Sequence, residues 1–274
     1  MINTNGQLVS KENSILKIEN RGFKYGDAIF ETMKVLESKI IFFEEHYFRL
    51  MASLRMLRMD ASLNFTLEYV ESEILKLVEA NNLLDAARVR LTVFRKDGGL
   101  YTPLTNEIDF VIEVSELNTE IKQKYEVDLY KDFYVYSGLL STIKTTNRSL
   151  NVIASIFAQE NDFDTCILIN EKKQIVEAIQ GNLFIVIGNL FVTPPLTEGC
   201  VKGIIRGKII YLLKKHQIFN IEERIISPFE LKKADEVFIT NSIIDIQSVT
   251  KYRKKEFDAK LSTQLSELLK MEYN

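Results

Sequence analysis

The sequence is poor in histidine and cysteine, two residues that build metal centres, with two of each among 274 residues, and it has only four prolines and no tryptophan. Cys166 and Cys200 show no CxxC spacing, and His46 and His216 are remote from each other, which argues against a structural zinc site and leaves no metal in the reading. Both cysteines read as small buried apolar residues. No apolar run approaches the roughly 20 residues that span a bilayer, and Met1 to Lys11 is polar, without the apolar stretch of a signal peptide. A cytoplasmic location with no membrane partner is expected. Charge of one sign is also lacking: 35 basic and 38 acidic residues leave a formal charge of −3, too weak a field to gather nucleic acid or anionic lipid. Internal repeats and low-complexity tracts are absent.

What is present is length and amphipathic pattern. A chain of this size has room for two medium domains. From Glu44 to Met59 the residues Tyr47, Leu50, Met51, Leu54 and Leu57 recur at helical spacing, and Leu67, Val70, Ile74, Leu77 and Val78 repeat the pattern. Strand-like runs surround them at Phe30 to Leu36, Lys39 to Phe43, Arg88 to Phe94 and Ile108 to Val114. The loose alternation predicts an α+β domain rather than a regular parallel βαβ array. Ser115 to Lys124 is polar and aperiodic and reads as the linker. The expected division is residues 1–117 and residues 118–274, with the first core strand of the second domain near Tyr125. Further strands are expected at Tyr125 to Val135, Thr165 to Asn170, Asn182 to Ile187, Leu190 to Thr193 and Glu236 to Thr240. Helices are expected at Ser149 to Glu160 and Gly203 to His216.

The most specific stretch is Glu177-Ala-Ile-Gln-Gly-Asn182-Leu-Phe184, then Leu190-Phe-Val-Thr193-Pro-Pro-Leu196, then Val201-Lys-Gly203-Ile-Ile-Arg206. It combines a strand-end carboxylate, a proline-fixed loop and a glycine opening a helix, whose free N–H groups at the positive end of the dipole suit an anion. Taken alone, Glu177 is an ordinary strand-end carboxylate. In order and spacing, however, the whole run resembles the signature of the class IV aminotransferase family. The resemblance implies a two-domain fold type IV pyridoxal-phosphate enzyme, like D-amino-acid aminotransferase, with the cofactor between the domains and a homodimer completing the site. It implies that Glu177 pairs with the protonated ring nitrogen of pyridoxal 5′-phosphate, keeping the ring an electron sink. The amides of Ile204 and Ile205 would hold the phosphate. Where Ile205 stands the family often has a threonine donating both amide and hydroxyl, so one neutral hydrogen bond of about 0.5–1.5 kcal/mol is forgone. Gln180-Gly181 also departs from the family's habit.

Other segments carry the resemblance further. Arg21-Gly-Phe-Lys-Tyr25-Gly-Asp-Ala-Ile-Phe30-Glu-Thr32 looks like the family's N-terminal motif, which would turn Tyr25 and Phe30 toward the substrate; without it, the segment is a glycine-containing turn feeding a strand. His46 and Arg49 share one helical face, opposite the apolar stripe, and Arg49 resembles the family's phosphate arginine, whose planar fork suits bidentate contact. A solvated surface charge is the plainer reading. Ser141-Thr-Ile-Lys144-Thr-Thr-Asn147-Arg148 resembles the segment of the Schiff-base lysine, and Arg148 either supplies a cationic neighbour that lowers the pKa of Lys144 or points to solvent. Ala234 to Ser242 reads as a buried strand ending in small polar residues, with Ser242 either the phosphate hydroxyl or part of an unliganded turn. Arg95, or its rival Arg90, would bind a substrate carboxylate unless either is merely a charge on an exposed strand face.

The resemblance leaves the reaction open between amino-group transfer, of the branched-chain or D-amino-acid type, and pyruvate elimination from 4-amino-4-deoxychorismate. Thr32, the Lys144–Asn147–Arg148 spacing and Thr240-Asn241-Ser242 lean toward the lyase and hence toward folate biosynthesis. A silent relative kept as a binding or dimerisation module is a further alternative, opposed by the joint presence of lysine, carboxylate and phosphate arginine.

Overall fold

In the computed structural model, which describes residues 1–13, 16–216 and 219–273, the chain divides into two compact units. The first comprises Met1–Asn118 together with Lys144–Asn147, and the second Thr119–Ile143 with Arg148–Asn274.

The first unit holds strands β1 (Ile2–Thr4) and β2 (Gln7–Val9), helix α1 (Arg21–Tyr25), strands β3 (Ala28–Leu36) and β4 (Lys39–Ile40), helices α2 (Phe43–Met56) and α3 (Leu67–Ala80), and strands β5 (Ala86–Arg95) and β6 (Ile108–Glu116). Its single sheet runs β2-β1-β6-β5-β3-β4, antiparallel throughout. Alternation sorts the side chains of β3 and β5 onto two faces. Ile29, Met33, Val35, Val89, Leu91 and Val93 form a buried apolar layer, with α2 packed on β3 and α3 on β6. Phe30 and Thr32 belong to the other face, where their register partners are Thr92 and Arg90. The strand expected over Lys39 to Phe43 stops at Ile40, because Phe42 takes a left-handed conformation (φ 55°) as the residue before α2; β-strand geometry is lost there and Phe43 becomes helical.

The second unit holds β7 (Glu126–Val135), α4 (Ser149–Glu160), β8 (Thr165–Asn170), β9 (Ile175–Ala178), β10 (Asn182–Ile187), β11 (Leu190–Thr193), α5 (Ile204–His216), β12 (Asn220–Glu223), β13 (Glu236–Asn241), β14 (Asp245–Val249), β15 (Lys251–Tyr252), β16 (Lys255–Glu256) and α6 (Lys260–Met271). Two five-stranded sheets result, ordered β12-β11-β10-β13-β14 and β16-β15-β7-β8-β9. Val127, Leu129, Ile167, Ile169, Leu183, Ile185, Val237 and Ile239 form one core cluster. A smaller cluster joins Ala154 and Ala158 of α4 to Tyr130, Cys166 and Leu168. Cys166 and Cys200 are buried and unpaired, and burial pushes both thiols up to about 12. Among the described residues no helix is long and apolar enough to cross a membrane.

Candidate active site

Lys144 comes to the first unit as part of a short edge bridge. The Phe30 N–H donates to the Lys144 carbonyl at 2.9 Å and the Thr146 N–H to the Ala28 carbonyl at 3.0 Å, with Ile29 and Thr145 paired in antiparallel register. These backbone bonds are why Lys144–Asn147 groups with the first unit, although its place in the chain put it with the second domain. The Lys144 Nζ lies 4.5 Å from the centroid of the Phe30 ring, and the Arg90 guanidinium carbon lies 3.8 Å from the same centroid. One aromatic ring thus carries two cations, attracted to its quadrupole. A cationic neighbour on that ring is Arg90, a strand away. Half-buried Arg90 donates Nε to Thr92 Oγ1 at 3.3 Å. Burial lowers its pKa, countered by Glu113 and reinforced by Arg88.

Arg95 is placed differently from the carboxylate-binding role expected of it. Its side chain, 7% exposed, is spent on the unit itself. Nε donates to Asp27 Oδ2 at 2.9 Å, Nη1 to the Arg58 carbonyl and Asn106 Oδ1, and Nη2 to the Leu57 carbonyl and, at 3.5 Å, Asp27 Oδ1. Five donors with five acceptors leave none for a substrate carboxylate. Asp27 also accepts from Arg21 Nε at 2.8 Å. Tyr25, exposed at the end of α1, sits 5.6 Å from the Tyr101 ring and beneath the Arg21 guanidinium.

On the helix-covered face of β3, alternation brings one acid into an otherwise apolar row, and α2 supplies its partners. Glu31 accepts Arg49 Nε on Oε1 at 2.8 Å and Arg49 Nη2 on Oε2, and His46 Nδ1 lies 2.6 Å from Oε2. His46 and Arg49 are therefore turned inward beside the buried Leu50 and Leu54, correcting the reading of the pair as a face opposite the buried stripe. Burial alone would raise the Glu31 pKa, but the Arg49 charge and the His46 and Arg49 hydrogen bonds overcome it and hold the carboxyl at about 2. Burial lowers His46, against the pull of Glu31 and with help from the charges of Arg49 and Lys144. A neutral His46 facing an ionised Glu31 must donate Nδ1–H, which leaves Nε2 a bare acceptor. That nitrogen is buried with no hydrogen-bond partner.

In the second unit the Glu177 carboxylate, 6% exposed, stands on β9. Its Oε2 accepts the Val201 N–H at 2.9 Å and Asn182 Nδ2 at 3.4 Å. The Gly203 N–H donates to the Val201 carbonyl at 2.8 Å, and the first backbone bond of α5 is Gly207 N–H to Gly203 at 3.1 Å. The N–H groups of Ile204, Ile205 and Arg206 lie ahead of any helical carbonyl. Both isoleucine side chains are buried, so this turn offers amides and no hydroxyl. Gly181, unexpected in its motif, has a steric cause: a Cβ there would overlap the Thr240 carbonyl oxygen on β13. Gln180 is held between Thr165 Oγ1 and the Tyr125 hydroxyl. Ser242 follows β13 in a turn closed by Asn241 Oδ1, which accepts the N–H groups of Ile243 and Ile244 at 2.9 and 3.1 Å. Thr240 Oγ1 is buried without a partner. Arg148 donates Nη2 to the Ile143 carbonyl at 3.2 Å.

Glu31 and Asn182 were given no role by the sequence, and Thr240 figured there only within the Thr240-Asn241-Ser242 turn, not as a buried hydroxyl. An acid at an inward position of a period-2 apolar row is the signal that would have found Glu31; for Thr240 the strand-end position alone gives none.

Comparison with known proteins gives the family and the fold. The model of the amino-transferase class IV family matches residues 28–252. D-alanine aminotransferase of Bacillus licheniformis is 27% identical over 260 residues, covering 90% of this chain and 86% of that protein. The branched-chain amino acid aminotransferase of Thermobaculum terrenum in its PLP form superposes with a TM-score of 0.86 at 19% identity, covering 99% of this chain and 93% of the other. A putative 4-amino-4-deoxychorismate lyase from Legionella pneumophila gives 0.86 at 22%, covering 96% and 97%. The fold is that of fold type IV, and the chain belongs to the class IV aminotransferase family, whose enzymes work with pyridoxal 5′-phosphate.

Proposed function

We propose that Lys144 holds the cofactor covalently and that Arg90 receives the carboxylate of an amino substrate. The carrying observation is the Phe30 ring shared by the Lys144 ammonium and the Arg90 guanidinium, an amine and a carboxylate-binding fork on one side chain. The residues present fit the cofactor. Buried Glu177 suits a ring-nitrogen cation, the first turn of α5 offers amides to a phosphate beside a glycine whose Cβ would be obstructed, and Thr240 Oγ1 lacks a partner. Arg49, pre-oriented by Glu31, and Ser242 are assigned to the phosphate, Tyr25 and Phe30 to the substrate, with Arg148 a second candidate for a substrate anion. When bound, pyridoxal phosphate would supply an electron sink for the substrate's amino carbon, and Lys144 Nζ would hold and move the proton there.

The reaction we favour is pyruvate elimination from 4-amino-4-deoxychorismate, a step toward folate. Thr32 supports it, standing opposite Arg90 in the β3–β5 register, as does Asn241, whose side chain builds the turn where transaminases frequently use glycine. Transamination is the second reading, favoured by relatives named as D-alanine and branched-chain aminotransferases. A homodimer is part of the proposal: α4 buries Ala154 and Ala158 yet leaves Val152, Ile153 and Ile156 exposed, a second apolar face that a lone helix gains nothing by showing to water.

The test is borohydride trapping of pyridoxal phosphate, located by peptide mass, followed by two assays. Trapping on Lys144, lost in Lys144→Ala, is expected. So is pyruvate release with no conversion of the cofactor to its amine form, and Arg90→Ala should raise KM about tenfold or more. Trapping on another lysine would refute the assignment. Conversion by D-alanine or leucine without pyruvate release would make the enzyme a transaminase.

A further inference from the structure

Asn182 opens β10 and is 4% exposed, and its side chain reaches across to two other segments. Nδ2 donates to the Val201 carbonyl at 2.8 Å and to Glu177 Oε2 at 3.4 Å, while Val201 returns its own N–H to that carboxylate oxygen at 2.9 Å. Carboxylate, asparagine and turn close a three-membered ring of hydrogen bonds. Oδ1 is equally engaged by shape, for it fills the space where a side chain on Gly203 would begin. The segment leading into the turn is held by Asn170, whose Nδ2 donates to Glu198 Oε2 at 2.7 Å and to the Glu198 carbonyl at 3.2 Å. Neither asparagine is free to swing: each is buried, and a buried amide that leaves its partners forfeits hydrogen bonds that no water replaces.

We propose that Asn182 is a positioning residue which, together with the missing side chain of Gly203, locks the Glu177 carboxylate to the Val201–Gly203 turn, so that the group facing the cofactor's ring nitrogen and the turn facing its phosphate are set by one side chain. The proposal rests on the pyridoxal-phosphate reading above and adds a coupling to it. A carboxylate held from a strand alone would keep its rotamer freedom. Held by the same turn that opens α5, it keeps a fixed separation from the amides of that helix. The role also explains why two residues 21 positions apart in the chain, Asn182 and Gly203, must suit each other: a methyl on Gly203 displaces Oδ1, and with it the amide that orients Glu177.

The experiment measures the affinity of the full chain, without bound cofactor, for pyridoxal 5′-phosphate and for its 1-deaza analogue, which lacks the ring nitrogen. Wild type, Asn182→Ala, Asn182→Asp, Gly203→Ala, the Asn182→Ala/Gly203→Ala double variant and Glu177→Gln are compared, with thermal midpoints recorded alongside. Wild type is expected to prefer pyridoxal phosphate over the analogue. Asn182→Ala should lose about tenfold of that preference, as Glu177→Gln does, while binding the analogue within about twofold of wild type. Gly203→Ala should do the same, and the double variant should be no worse than the poorer single one, because both remove one device. Asn182→Asp keeps the volume and removes the donors, so it should repeat the loss if the alanine variant folds poorly. Equal weakening toward both ligands would show a merely structural residue and overturn the proposal, and so would additive losses in the double variant. Failure of wild type to bind either ligand would refute the pyridoxal-phosphate reading first and this proposal with it.

Discussion

Residue by residue, the decisive groups are polar side chains inside apolar surroundings, and each has a physical reason for being tolerated. Glu31 lies in the row of Ile29, Met33 and Val35, and is acceptable there because Arg49 and His46 meet it inside the core. This cluster has a defined pH signature. The Glu31 pKa is lowered in the fold, so its contribution is present above the ordinary carboxylate range and is lost as pH falls toward about 2; by linkage it amounts to about 3 kcal/mol. The His46 pKa is also lowered, so its contribution is present above about 6.5 and declines as pH falls through that range, when the unfolded chain takes a proton and the folded one does not. Urea unfolding of the protein is therefore expected to show stability dropping from pH 7.5 to pH 5, with the drop flattened in His46→Asn. A wild-type stability that is level or rising over that interval would rule the arrangement out. The sequence singles out Arg49 and Lys144 only through the resemblance of their segments to family motifs, since 35 basic residues give composition no means of choosing among them. It hid the difference between Arg90 and Arg95, since both are arginines on one strand and only tertiary contacts tell that Asp27, Asn106 and two carbonyls saturate the second.

At the scale of elements, the periodic segments were legible and the short ones were not. Helix α4 and strands β8, β10 and β11 begin and end where apolar periodicity and turn residues put them. Strands β15 and β16, two residues each, and the β1–β2 hairpin are too short to show a period and are tied into their sheets by β15 pairing with β7 and β1 with β6. Helix α6 was missed although strongly amphipathic. Its N-terminus lacks a capping side chain of its own and is capped from β13 instead, where buried Glu236 accepts the N–H groups of Leu261 and Ser262 at 2.7 and 2.9 Å. No local signal reveals such a cap. The β10–β13 pair makes a sharper claim. Because a Cβ at Gly181 would overlap backbone, which moves only with the strand, Gly181→Ala should destabilise the protein by about 1–3 kcal/mol and lower its calorimetric midpoint by several degrees. An unchanged midpoint would mean that β13 is not held where it is seen.

For the molecule as a whole, the exposed apolar face of α4 makes the oligomeric state testable. Light scattering should give twice the 31.7 kDa chain mass, and Ile153→Glu combined with Ile156→Glu should return it to that of a single chain. A monomeric wild type would remove the dimer from the proposal.

The four residues Lys144–Asn147 have a meaning for inheritance as well as for chemistry. The chain leaves the first unit after Asn118, completes part of the second, returns for those four residues and leaves again. A gene fragment ending at the apparent boundary would therefore encode a first unit with the β3 N–H of Phe30 and the carbonyl of Ala28 unanswered, and a remainder carrying a lysine whose backbone partners lie elsewhere. Modules that exchange freely in evolution or in chimeras carry their reactive group within their own hydrogen-bond framework. This lysine lies in the framework of the other module, so a second unit transplanted from a relative must also match β3 of its host.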